Sequence, residues 1–197
     1  MNTTMSKGRL EAFSDGVMAI IITIMVLELR IPEGSDFQTL RPLFAPFLSY
    51  TLSFIFLGIY WSNHHHLIQV VQHVNGRILW ANLHLLFWLS LTPAITGWMG
   101  ETHFASLPVA IYGVVLFMAA VAYYILTLTL LAEHGRNSKI ALALGSDFKG
   151  KISIVFYLAA IVVAYWSPGI ACAIYVLVAI SWLIPDRRME KVSTERG

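Results

Sequence analysis

Charged residues are scarce in this chain: Asp, Glu, Lys and Arg together make up 12% of its 197 residues, against about 25% in a typical soluble domain. With 57% hydrophobic residues and a mean hydropathy of +0.70, that scarcity excludes a water-soluble globular enzyme, a nucleic-acid-binding module and a disordered chain. Neither sign dominates. The formal net charge is +2, too small to call for nucleic acid or another polyanion as partner. The single cysteine, Cys172, can form neither an intramolecular disulfide nor a cysteine-ligated zinc site. Catalytic signatures are also missing: no G-x-S-x-G, no H-E-x-x-H and no carboxylate pair on facing apolar segments. The chain does not read as an enzyme. It shows no internal repeat and no separate soluble part, so residues 1–197 read as one domain.

What it has instead is long apolar runs. A bilayer core about 30 Å thick needs about 20 apolar residues per helix, and six stretches qualify, near 12–29, 44–66, 78–99, 107–131, 152–166 and 169–185. This predicts an all-α, multi-pass integral membrane protein with the lipid bilayer as its solvent. The first stretch carries Glu11 and Asp15 and no small-residue cleavage site, so it does not read as a signal peptide. Trp166-Ser167-Pro168-Gly169 reads as a tight turn between the last two spans.

Basic residues set the orientation. With the N-terminus inside, eleven Lys and Arg residues fall on the inner side and only Arg30 and Arg41 on the outer. That bias places both termini in the cytoplasm and the protein in the cell membrane. The outer segments also hold Glu28, Glu33, Asp36 and Glu101, a mildly acidic rim that attracts cations. The basic segment 132–151 reads as a helix lying among headgroups, with a regulatory site as the alternative.

The first span carries the informative chemistry. An ionisable group in a membrane helix is costly and normally faces protein or water. Asp15 lies one turn into the apolar run, with Arg9 six residues earlier, and the pair calls for polar partners on neighbouring helices. The alternative is that Asp15 caps the helix N-terminus after Ser14. Gly16 allows close helix approach. Helical spacing puts Gly16, Ile20, Thr23, Ile24 and Leu27 on one face. In a symmetric oligomer that face can line a pore whose apolar constriction gates by dewetting. It can equally pack on a neighbour or face lipid. The T-V-G-Y-G run of a carbonyl filter is missing.

The run Arg9-x-x-x-Phe13-Ser14-Asp15-Gly16, followed by Ala19-Ile20-x-x-Thr23 and aliphatic residues to Leu27-Glu28, resembles the signature of the transmembrane protein 175 family. These are endolysosomal potassium channels of animals and their prokaryotic relatives. Trp61-x-x-His64, Asn82 and Pro93 are similar to further marks of the family, and one six-span unit is similar to its prokaryotic form. The resemblance implies a homotetramer whose first helices line a central pore for potassium, with no cofactor or metal. It implies that Ile20 forms the narrow constriction, that Thr23 stands beside it, and that Ile24 and Leu27 extend the hydrophobic neck. It also implies a polar network of Arg9, Phe13, Ser14, Asp15, Gly16, Trp61, His64 and Asn82 tying the first three helices together near the cytoplasm. On this reading Asp15 is part of the gating scaffold, and loss of Asp15 or Arg9 strands a buried partner and lowers stability. Met18 stands where many relatives carry an aromatic residue.

Asn63-His64-His65-His66 raises rival readings. Paired histidines on facing membrane helices hold haem, and neutral imidazoles bind metals. Adjacent helical residues point about 100° apart, however, so three cannot serve one ion. His66 and His73 stand two helical turns apart, His84 lies in the third span, and His103 reads as solvated beside Glu101. The rival from another class is a proton-coupled secondary transporter with Asp15 and a histidine as relay. The missing inverted repeat argues against it.

Overall fold

Lipid offers backbone groups no hydrogen-bond partners, so apolar runs of this length cross it as helices, which satisfy all but their ends internally. In the computed structural model, which describes residues 6–135 and 148–183, the described residues form α1 (Lys7–Leu27), α2 (Phe44–Gln69), α3 (Gly76–Ser90), α4 (Thr92–Glu101), α5 (Ser106–His134), α6 (Phe148–Ala164) and α7 (Pro168–Leu183). A 3₁₀ turn, Phe37–Leu43, runs straight into α2. α3 and α4 form one rod interrupted at Leu91, so the helices make six spans. Four of them are long and apolar enough to cross a membrane by themselves, while α6 and α7 have 17 and 16 residues.

The observed boundaries differ from the apolar runs for local reasons. α1 begins at Lys7 instead of residue 12, because Lys, Arg and Glu continue a helix as readily as Leu does. The third span is two helices because Pro93 has no N–H for the Leu89 carbonyl and its ring crowds that carbonyl. α3 starts at Asn75, whose side chain accepts the Ile78 N–H at 3.0 Å. α5 ends at Gly135, whose φ of +83° needs a residue without Cβ. The reversal from α4 to α5 passes through His103 and Phe104, both at positive φ, and is closed by Phe104 N–H to the Met99 carbonyl at 2.9 Å. Residues 184 and 185 of the expected sixth span lie outside the described residues. So do Arg136, Lys139 and the four basic residues after 186 in the charge count, and most of segment 132–151.

α5 is the central post. On one side Leu10, Met18 and Met25 of α1 meet Leu57 of α2, Leu85 of α3 and Leu126 of α5. On the other, Phe56 of α2 and Met99 of α4 meet Tyr112 of α5, Tyr157 of α6 and Tyr175 of α7. Two glycines permit this packing. A Cβ on Gly113 would fall against the Tyr175 hydroxyl and Ile161, and that hydroxyl donates to the Val109 carbonyl at 3.2 Å. A Cβ on Gly100 would lie 2.7 Å from the Pro46 Cα and 2.5 Å from Ser49 Oγ.

Gly113→Ala and Gly100→Ala are therefore expected to destabilise the protein by about 1–3 kcal/mol each through overpacking. Gly58→Ala, whose Cβ meets nothing within 4 Å, should leave it unchanged. Thermal melting of the three purified variants in detergent checks this, and equal melting temperatures would refute it.

Candidate functional site

α1 lies at the edge of the bundle and has two unlike faces. Leu10, Ser14, Met18, Ile21 and Met25, three or four residues apart, are buried against α2, α3 and α4. Phe13, Gly16, Ile20, Thr23, Ile24 and Leu27 are exposed, with Ile20 59% and Leu27 81% accessible. A Cβ at Gly16 would meet nothing within 4 Å, so Gly16 is not pressed on another helix of the same chain. The Thr23 hydroxyl donates to its own helix, to the Ile20 carbonyl at 2.8 Å. The open face thus offers aliphatic surface and one hydroxyl whose proton is already engaged.

The buried face is held by a directional chain of hydrogen bonds across three helices. His64 Nε2 of α2 donates to Asn82 Oδ1 of α3 at 2.7 Å, and Asn82 Nδ2 donates to Ser14 Oγ of α1 at 2.9 Å. Ser14 in turn donates to the Leu10 carbonyl at 2.9 Å. Ser14, His64 and Asn82 are each fully buried. Because Nε2 carries the proton, Nδ1 of His64 is left as an acceptor, and it has no partner.

A second set of contacts forms a ladder along the more exposed edge of the α1–α2 pair. Asp15 Oδ1 accepts from Trp61 Nε1 at 3.0 Å, Glu11 Oε1 lies 3.2 Å from His65 Nδ1, and Lys7 Nζ donates to the Gln69 carbonyl at 2.5 Å. Residues 7, 11 and 15 on one helix meet 69, 65 and 61 on the other, each four apart. That is how the matching faces of two antiparallel helices run.

Asp15 is thus a mid-helix residue partnered by Trp61. The capping alternative fails because the helix begins two turns earlier, at Ser6 and Lys7. Arg9 is exposed, and its side chain makes no hydrogen bond or ion pair among the described residues, so the expectation of a buried partner does not hold for it. Phe13 is exposed and lies with the open face. The sequence reading also missed Glu11, Lys7 and Gln69, whose signal was the four-residue spacing on both helices. It missed a further polar cluster, in which Ser53 Oγ lies 2.7 Å from Thr96 Oγ1 and 3.0 Å from the Tyr112 hydroxyl.

The remaining histidines scatter. His66 bonds the Ser62 carbonyl at 2.6 Å, and His84 accepts from Trp88 Nε1 at 3.0 Å. His73 is not two turns along a helix from His66: α2 has ended at Gln69, and His73 stacks on His134 of α5 with centroids 5.4 Å apart. Among the described residues, no group of three or more His, Cys, Asp or Glu side chains could hold a metal ion. At the far end of the bundle a cavity of about 620 Å³ is bordered by Glu28, Arg30, Glu33, Pro46, Glu101 and His103, with Arg30 and Glu101 paired at 2.6 Å.

The sequence model of the endosomal/lysosomal potassium channel TMEM175 matches residues 9–93. That stretch holds the whole hydrogen-bond chain and every ladder residue except Lys7. A protein named as a potassium channel from Chryseobacterium sp. (strain P1-3) is 59% identical over 95% of this chain and 97% of its own length. One so named from Streptomyces collinus is 31% identical over 71% of this chain and 77% of its own. In fold, the chain is similar to the crystal structure of a lysosomal potassium-selective channel TMEM175 homolog from Chamaesiphon minutus. The TM-score is 0.76 at 24% identity, over 90% of this chain and 96% of that one.

Replacing Asn82 with Ala strands the buried His64 N–H and removes the donor to Ser14 Oγ, which should cost about 1–3 kcal/mol. Arg9→Ala should cost less than about 0.5 kcal/mol, as for a surface site without partners. Thermal melts of the two variants, compared with the parent, check the order. An Arg9 variant that melts below the Asn82 variant would contradict it.

Proposed function

The chain belongs to the TMEM175 family, and from that premise we propose that it is a potassium channel in which α1 lines a central pore shared by four copies. It is a multi-pass membrane protein of a channel family, not an enzyme, and needs no cofactor beyond the permeant ion. The observation that carries the pore reading is the division of α1: its polar-anchored back is buried within one chain while its aliphatic front has no partner there. A second copy bringing the same face closes that surface around an axis, as cyclic symmetry requires.

Ile20 forms the constriction, with Thr23 beside it and Ile24 and Leu27 continuing the apolar neck. Four isoleucines at one level supply no oxygen ligands, so a passing ion must shed water against carbon. Potassium gives up its hydration more readily than sodium, and a dry neck therefore passes potassium with moderate preference. Both termini lie in the cytoplasm of a cell membrane. The acidic side chains at the opposite end, Glu28, Glu33 and Glu101, raise the local cation concentration, screened over about 8–10 Å at physiological salt. The single unit of residues 1–197 acts as one domain, with Ser14, Asp15, Trp61, His64 and Asn82 holding α1 at its cytoplasmic half.

Ion flux from liposomes under a potassium gradient, then a sodium gradient, tests this. Passive flux that prefers potassium supports the reading, whereas flux that requires a proton gradient would replace it with a coupled carrier. Ile20→Asn should wet the neck and bring the potassium-to-sodium ratio toward one, and an unchanged ratio would remove Ile20 from the role. Cross-linking should give a covalent species of four subunits.

A further inference from the structure

The three rungs between α1 and α2 differ in kind. The top and bottom rungs are hydrogen bonds, from Trp61 to Asp15 and from Lys7 to the Gln69 carbonyl. The middle rung brings a carboxylate within 3.2 Å of an imidazole, yet His65 Nδ1 is not aligned with Glu11 for a hydrogen bond. Its strength therefore rests on charge. Histidine is the side chain whose charge changes between about pH 5 and 8, and in this ladder there is one.

We propose that Glu11 and His65 are positioning residues that fasten α1 to α2 in proportion to the protonation of His65. In the neutral ring, Nε2 accepts from Gln69 Nε2 at 2.8 Å, so the proton sits on Nδ1 and meets Glu11 as a weak dipole. On protonation Nε2 becomes a donor, and the Gln69 amide turns its oxygen toward it. The contact with Glu11 becomes an ion pair. The ring already lies on Trp61, with centroids 5.8 Å apart and planes 20° from parallel, so the new cation gains a cation–π contact. Trp61 is itself held by Asp15, and two rungs tighten together.

The surrounding charges are few. α1 contributes Glu11 and Asp15 in favour of the cation and Lys7 and Arg9 against it. α2 contributes His64, buried in the deeper chain, and His66, whose ring stands edge-on at 5.8 Å. α4 and the 3₁₀ turn carry their charges, Glu101 and Arg41, at the opposite end of the bundle. α3 carries Arg77 and His84, α5 carries Glu133 and His134 and α6 carries Lys149 and Lys151, with Arg77, Glu133, His134 and the two lysines at the cytoplasmic end, and α7 has none. The side chains of His65 and Glu11 are 33% and 25% accessible, so the proton can come directly from the cytoplasmic solution. Buried His64 has no such access. A partly exposed pair of this kind is worth about threefold in an equilibrium.

The effect on current rests on the channel reading, but the fastening does not, so two measurements are paired on the full-length protein. The first is thermal melting in nanodiscs at pH 8 and pH 5.5 of the parent, Glu11→Gln, His65→Gln and the double variant. The coupling between the two positions should grow about threefold at the lower pH, with Glu11→Asp retaining it. The second is potassium current in inside-out patches as the pH on the cytoplasmic face is lowered. The parent current should change about threefold, and His65→Gln should abolish that response. Coupling equal at both pH values, or a pH response that survives His65→Gln, would overturn the proposal. Coupling that grows in a protein passing no current would uphold the fastening and overturn the channel.

Discussion

A helix already in lipid gains little by hiding leucines from water it does not meet, so what holds one membrane helix on another is packing and polar contact. The arrangement of α1 depends on that constraint. Its attachment to the bundle is the buried chain from His64 through Asn82 to Ser14, supplemented by the ladder on its exposed edge. Interhelical hydrogen bonds in membranes average about 0.6 kcal/mol each and reach about 1.7. A handful of them stabilises a single helix by a few kcal/mol, enough to choose one rotation of α1 over another. Without Asn82 the three helices lose the hydrogen-bond chain that joins all of them.

Choosing the rotation also decides what is left over. With Ser14, Met18 and Met25 turned inward, the helical repeat turns Ile20, Ile24 and Leu27 outward. Thr23 is the exception: its hydroxyl proton is taken by the Ile20 carbonyl, so this position offers a methyl group and an acceptor oxygen but no free donor. The front of α1 is consequently aliphatic and carries no charged ligand from Phe13 to Leu27. Those are the properties a neck needs if it discriminates between ions by the cost of dehydration rather than by coordination. The back is apolar with a polar anchor at Ser14, and the front is aliphatic with no partner in the same chain.

The fold was legible wherever a span is a matter of length and polarity. Six apolar runs gave six helical spans. The buried chain was legible in part, since Ser14, His64 and Asn82 were singled out, but only through resemblance to known channels. Arg9 misled because it and Asp15 were both expected to find polar partners on neighbouring helices. Six residues along a helix is not a whole number of turns, and Arg9 points to solvent while Asp15 meets Trp61. Glu11 was noted only as a charge in the first run and not as a site residue, because its partner, His65, is 54 residues away in the chain and one histidine among seven.

By itself the sequence determined that this chain lives in a membrane, how many times it crosses, and which face of the first helix is aliphatic. These follow from composition and from the 3.6-residue period, which need no knowledge of neighbours. Only the tertiary structure decided which of the three adjacent histidines is buried and which is wet, that Asp15 is paired with an indole and not with Arg9, and that Gly113 makes room for Tyr175. Such choices turn on the rotation and register of one helix against another. They are set by a few short contacts between residues far apart in the chain, and no local pattern encodes those distances.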